Sequence, residues 1–223
     1  MSTWTSKIAL MAASLALAAC QMSDGGQGAA MLSRFTDPPP ARMGVAQGSV
    51  IVAGPKGFCI DRDVSQDTGG ATALTVLSAC RGLGAGMFTP MPAHPAVLTA
   101  AVASKGRLIE VEGAAPALTA YFASARGRAA LSRSGKAETV AVQESFAEDG
   151  AFLLHLSDRA PFSWGAVEPD YWRALLQAGG RMVTVSVLSL PDAPLNRDEG
   201  LALLREFIAS LRNATAKAAK PGA

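Results

Sequence analysis

The chain has 223 residues, 49% hydrophobic and 17% charged, a globular balance that excludes disordered and collagen-like classes. Its 20 Lys and Arg against 18 Asp and Glu leave a net charge of +2 with no basic stripe, and aromatics make up only 6%; this argues against a nucleic-acid partner and against a stacking platform for bases or sugars. After Cys20 no apolar run approaches the roughly 18 residues that a membrane-spanning helix requires.

The N-terminus reads MSTWTSKIALMAASLALAAC. Lys7 is its one charge. The apolar segment Ile8 to Leu17 is too short to cross a hydrocarbon core of about 30 Å, but it suits the central region of an export signal. Leu17-Ala18-Ala19-Cys20 follows: a branched apolar residue, two small ones and a cysteine. At all four positions this resembles the lipobox of bacterial lipoproteins. The resemblance implies a signal over residues 1–19, cleavage by signal peptidase II, a diacylglyceryl thioether on Cys20 and acylation of the freed amine. Buried acyl chains contribute about 0.8 kcal/mol per methylene, and two or more give stable anchoring. The next residue is Gln21, not the Asp that tends to retain lipoproteins of Gram-negative bacteria in the inner membrane. That favours the outer membrane, facing the periplasm. The competing reading is an ordinary secreted protein cut after Ala16-Leu17-Ala18.

Residues 20–46 are expected to form the lipidated terminus and a tether. They are rich in Gly, Ala and Pro, and Pro38-Pro39-Pro40 favours an extended chain. A segment folded back through Met31, Leu32 and Phe35 is the alternative. The globular domain is expected over residues 47–214 and a disordered tail over 215–223.

Within the domain, Ser49–Gly54 reads as a strand before a Gly-Pro turn, and Gly57–Asp61 as extended chain. Thr72–Cys80 and Ala96–Ala103 are β-branched and apolar, hence strands. Pro116 opens a helix-like stretch through Ser132, with Leu118, Tyr121, Phe122, Ala125 and Ala129 on one face. Two extended runs, Thr139–Phe146 and Ala151–Leu156, flank Asp149-Gly150, a strong hairpin signal; Val140, Val142 and Phe146 are expected to share a face. Pro169–Ala178 reads as a short helix. Arg181–Leu190 is the clearest strand, with Val183, Val185 and Val187 alternating with Thr184, Ser186 and Leu188.

Asn196 begins the last helix, and Glu199 stands at capping-box spacing. Leu201, Leu204, Ile208 and Leu211 form a stripe, with Phe207 beside it, that requires apolar cover from a sheet. The order of elements predicts a single α+β domain: an antiparallel sheet with helices packed on it, the C-terminal helix included. The final strand and helix also resemble, in pattern, the end of the PsbP-like fold, over about a quarter of the chain.

Cys59 and Cys80 remain after Cys20. Export places them in an oxidising space, and both lie in strand-like segments, so a structural disulfide worth roughly 3 kcal/mol is expected. Two buried free thiols are the alternative; the C-x-x-C spacing of a redox pair is missing.

Gly82-Leu83-Gly84-Ala85-Gly86 invites a phosphate-loop reading, but Pro90, Pro92 and Pro95 oppose the helix that must follow. It is read as a loop, with no nucleotide partner. Asp61, Asp63, Ser65 and Asp67 resemble a calcium ladder, yet Gln66 and Thr72 stand where an EF-hand needs Gly and Glu, so a solvated acidic turn is expected and no metal. The two histidines, His94 and His155, match no paired-ligand spacing, and no nucleophile-elbow motif occurs. His155 is read as a strand residue. Tyr171-Trp172 and the segment Pro161–Gly165 are read as core or loop anchors, with a binding rim as the alternative.

The expectation is therefore a membrane-anchored lipoprotein whose domain is a non-enzymatic binding or interaction module, with no cofactor and with an envelope protein as candidate partner. A small-ligand carrier, or a hydrolase with a non-motif site around His94 or His155, stands as the alternative.

Overall fold

The computed structural model describes residues 37–105, 108–162 and 165–220; the proposed signal, Cys20 and most of the tether lie outside the described residues. The elements in chain order are β1 (Arg42–Val45), β2 (Val50–Ala53), β3 (Phe58–Gln66), β4 (Thr72–Ala79), β5 (Ala96–Ala103), α1 (Val111–Ala123), α2 (Ala125–Leu131), β6 (Val140–Glu148), β7 (Ala151–Asp158), β8 (Asp170–Ala178), β9 (Arg181–Ser189) and α3 (Arg197–Ala218). Seven strands form one sheet in the order β3-β4-β5-β9-β8-β7-β6, and β1 and β2 form a separate ribbon. Every neighbouring pair in the sheet is antiparallel. This is the expected α+β domain with its C-terminal helix on the sheet.

Alternation along β9 sets the two faces. Val183, Val185 and Val187 stand opposite Val102, Ala100 and Leu98 on one side and Leu176, Ala174 and Trp172 on the other. All face α3 and the β1–β2 ribbon in the larger core. The α3 stripe of Leu201, Leu204, Phe207, Ile208 and Leu211 is buried there. Each such side chain contributes roughly 1.5–3 kcal/mol by leaving water. The helix starts where the sequence indicates: Asn196 accepts from Asp198 and Glu199 N–H, and the Glu199 carboxylate accepts from Asn196 N–H. On the opposite face α1 and α2 cover β6 and β7, with Val111, Phe122 and Leu131 packed among Phe152, Leu154, Leu156 and Tyr171.

Several expectations are corrected. Residues 170–178 are strand β8, not a helix. The run DYWRALLQA is rich in helix formers, but its alternate residues Trp172, Ala174, Leu176 and Ala178 fill the α3 core while Tyr171 and Leu175 fill the other. Gly179 and Gly180, at φ 56° and 69°, turn it into β9. Phe146 does not share a face with Val140 and Val142. A bulge between Val142 and Glu144 reverses the alternation, so Val142 pairs with Leu156 on the α1 side and Phe146 pairs with Leu153 under α3.

The helix expected from Pro116 begins at Val111, capped by the Glu110 carboxylate, and breaks at Ser124, whose hydroxyl accepts from Gly127 N–H. The segment read as tether to residue 46 includes β1, paired with β2 from Arg42↔Ala53 to Val45↔Val50. The segment read as a tail from 215 continues as helix to Ala218. Thr215 is buried, its hydroxyl accepting from Ile51 N–H at 3.1 Å. No helix among the described residues is long and apolar enough to cross a membrane.

Candidate functional site

Two ends of the sheet carry the residues of interest. At the first, Cys59 of β3 and Cys80, just beyond β4, form a disulfide with Cα atoms 4.8 Å apart. It ties the base of the glycine-rich loop. Cys80 N–H donates to Gly57 O (2.9 Å), Ala85 N–H to Cys80 O (2.9 Å) and Thr89 N–H to Gly86 O (2.9 Å). Arg81 Nε reaches across to Thr89 O at 2.8 Å. The chain thus passes through a 3-10 turn, Cys80–Leu83, capped by Gly84, into a clasped loop, with no helix N-terminus following the glycines to meet a phosphate. Met87 and Phe88 project from the loop, 83% and 100% exposed.

The acidic ladder is not a turn. Asp61, Asp63 and Ser65 lie on β3, where Ser65 Oγ accepts from Val76 N–H (3.0 Å) within a bulge, and Asp67 Oδ2 accepts from Ala46 N–H (2.9 Å). Among the described residues no group of three or more His, Cys, Asp or Glu could hold a metal ion.

Among the described residues neither histidine is hydrogen-bonded to a serine, threonine or cysteine side chain. His94 is exposed, with Nδ1 4.0 Å from Glu199. His155 stacks on Trp172, ring centroids 4.7 Å apart, and its Nδ1 lies 3.7 Å from Glu144 Oε1, too far for a hydrogen bond. Glu144 instead accepts from Arg197 Nε (2.6 Å) and Nη2 (2.8 Å), which holds its carboxyl below the usual range. Burial pushes the His155 imidazole down, and Glu144 only partly offsets it. Trp172 Nε1 donates to Arg197 O at 3.0 Å. The cavity beside them is about 30 Å3, room for a water and not a substrate. Ser189, which lines it, already accepts from Leu195 N–H at 2.7 Å. This cluster fastens α3 to the sheet, and Tyr171 and Trp172 are core anchors, 3% and 2% exposed.

A second buried lock was not read from the sequence. Asp158, wholly buried, accepts from Arg133 N–H (2.8 Å), Arg133 Nε (3.2 Å) and Ala160 N–H (2.9 Å). Burial raises the affinity of its carboxyl for a proton, but these hydrogen bonds outweigh it and the net shift is downward. Arg133 and Arg173 both lie against the Tyr171 ring, at 5.6 and 5.3 Å. The only sequence signal was an acid ending the apolar run of β7.

The other end of the sheet holds an open cleft of about 760 Å3. Four chain segments meet there: the β1–β2 turn, the β3–β4 loop at Asp67–Ala71, the end of β5 at Ser104 and Lys105, and Arg181 at the start of β9. Arg181 donates to Ser104 O and, from Nε, to Ser49 Oγ (3.3 Å). Ser104 Oγ donates to Gly70 O (2.5 Å). Ala46 and Gln47 both adopt left-handed conformations, φ 51° and 62°, at a cost of order 1 kcal/mol or more each. Lys105 and Arg181 stand against the one carboxylate of Asp67, which accepts from Ala46 N–H, and leave the cleft lining with a net positive charge. Neither histidine lines it.

Compared with known proteins, the chain matches no family model, no curated sequence and no solved structure at a significant level.

Proposed function

We propose that this protein is a lipoprotein of the cell envelope, acylated at Cys20 and facing the periplasm from the outer membrane, whose domain binds an envelope component without transforming it. The anchor is supported by the Leu17–Cys20 lipobox match. The binding role is carried by one observation: the 760 Å3 cleft, within the range of small-ligand sites, rimmed by Lys105 and Arg181 and built on strained backbone. The ligand class that fits is a small anion, a carboxylate or phosphate, held by these two cations and by loop amides. The contrast with His155 supports binding over hydrolysis, since its neighbours are already committed to packing.

Native mass spectrometry of protein purified without denaturant tests the binding role. A co-purified anionic mass is expected in the parent and lost in Lys105→Glu with Arg181→Gln; a parent that carries no such mass, or a variant that retains it, overturns the reading. Palmitate incorporation tests the anchor. It is expected in the parent and absent in Cys20→Ser, and processing unchanged by globomycin would defeat it.

A further inference from the structure

The clasped loop at the far end from the cleft is the most conspicuous surface feature. Large apolar side chains are common singly on surfaces and then need no explanation. Here Met87, Phe88 and Met91 fall within one loop, and among the described residues Met87 and Phe88 are the most exposed of the large apolar side chains. The loop is not loose: the Cys59–Cys80 disulfide, the Arg81 to Thr89 bond and the close fit of Pro92 on Gly57 hold it at three points. A Cβ on Gly57 would come within 2.6 Å of Pro92 N. Two apolar tips kept in water on a fixed frame are prepaid for insertion, because little conformational entropy remains to lose.

Three further observations select the occupant. First, Pro38–Pro40 lie at this end. Ile60 N–H donates to Pro40 O (2.8 Å), which seats Pro38–Pro40 beside the start of β3, next to the disulfide. Cys20 is 18 residues before Pro38, so the chain length allows it to lie at most roughly 60 Å from this end. Second, no acidic residue occurs between Cys80 and Pro95 or between Pro38 and Ile60, whereas Arg42, Lys56 and Arg81 do. Third, the α3 acids at this end stand beside basic groups, Glu199 4.0 Å from His94 Nδ1 and Glu206 in a groove with Lys56 and His94, while Asp37 and Asp61 border the acid-free stretch. A surface that is apolar at the tip and cationic around it complements an anionic lipid headgroup layer over hydrocarbon.

We infer that the Met87-Phe88 loop is a second membrane contact, inserting into the bilayer that holds the Cys20 lipid and so orienting the domain with its cleft away from the membrane. This rests on the anchor reading, but its test does not. The probe is residues 20–223 with Cys20→Ser, which removes both the acylation point and the apolar signal, mixed with vesicles of phosphatidylglycerol and phosphatidylethanolamine. Flotation is expected to show binding, and Met87→Ser with Phe88→Ser to weaken it at least about tenfold, since each fully buried side chain of this size is worth that or more. Both positions are exposed, so the variant should keep its fold, which far-UV circular dichroism checks.

As an independent reading, Phe88→Trp should gain fluorescence that brominated lipid quenches relative to the parent. Equal flotation of parent and double variant, or an unquenched Trp at position 88, overturns the inference. Equal flotation together with loss of an in-cell protein crosslink in the double variant would also overturn it and assign the loop to a protein partner. Palmitate labelling reads the anchor and flotation of the unacylated chain reads the loop, so each proposal fails separately.

Discussion

Gly200→Ala sets two known effects against each other. Gly200 lies in the first turns of α3, where alanine normally gains about 0.8–1.0 kcal/mol over glycine. A Cβ there would stand 2.8 Å from Trp172 Cδ1 and 3.4 Å from Nε1. Ordinary contact needs a retreat of about 0.7 Å. Trp172 has nowhere to go: it is 2% exposed, stacked on His155 at 4.7 Å, edge-on to Phe146 at 6.2 Å, and bonded through Nε1 to Arg197 O. Overpacking of this kind costs about 1–3 kcal/mol, and stretching the indole hydrogen bond adds about 1 kcal/mol. The net expectation is destabilisation by about 1–3 kcal/mol, read from urea unfolding, with a changed near-UV circular dichroism signal from the indole. In a Trp172→Phe background the phenyl keeps a carbon near the Cδ1 position, but without the fused ring and the bond to Arg197 O it has room to withdraw, and the same substitution should become close to neutral. The double-mutant cycle should therefore return a coupling of at least about 1 kcal/mol. A Gly200→Ala protein more stable than the parent would refute the reasoning.

Replacing Cys59 and Cys80 together by Ala frees a loop with a sequence separation of 21, and by the chain-entropy model should cost about 3 kcal/mol in chemical denaturation; a loss below about 1 kcal/mol would place the restraint elsewhere. Thr215→Val removes the hydroxyl that serves Ile51 N–H on β2, and is expected to cost about 1–2 kcal/mol; an unchanged urea midpoint would mean that the last helical turn carries no load. The folded His155 pKa lies below its ordinary 6.5, so the unfolded chain takes up that proton first and stability falls as pH drops below 6.5. His155→Gln should flatten that slope. Asp158 and Glu144 are depressed carboxylates, whose contribution is present above the ordinary carboxyl range and is lost as pH falls through their folded values; Asp158→Asn should remove part of that acid limb, and a limb left intact would count against its buried pairing with Arg133.

The fold was legible where one segment carries its own evidence. Alternating valines along β9, the capped and striped α3, and Asp149-Gly150, whose φ values of 48° and 69° suit the hairpin turn, each state a local preference that the packing keeps. The disulfide could be expected from the proposed export and the cysteine count, because pairing needed only two thiols in neighbouring extended segments. The residues of the candidate sites were less legible. Lys105 and Arg181 showed nothing in sequence, and the Met87-Phe88 tip was visible only as part of a glycine-rich loop.

What the linear chain determined by itself was the class of the domain, most of its strands and the ends of its last helix, since these follow from periods of 2 and 3.6 residues and from caps a few positions apart. Only the tertiary structure decided that residues 170–178 are a strand, because one face is buried under α3 while the other is partly buried and carries Tyr171 and Leu175 as well as Arg173 and Gln177, which blurs the alternation in the sequence. It likewise decided which face Phe146 takes, through a bulge defined by the partner strand, and it assembled the cleft from Ala46, Asp67, Ser104 and Arg181. Register and strand order bring such residues together, and no local pattern encodes either.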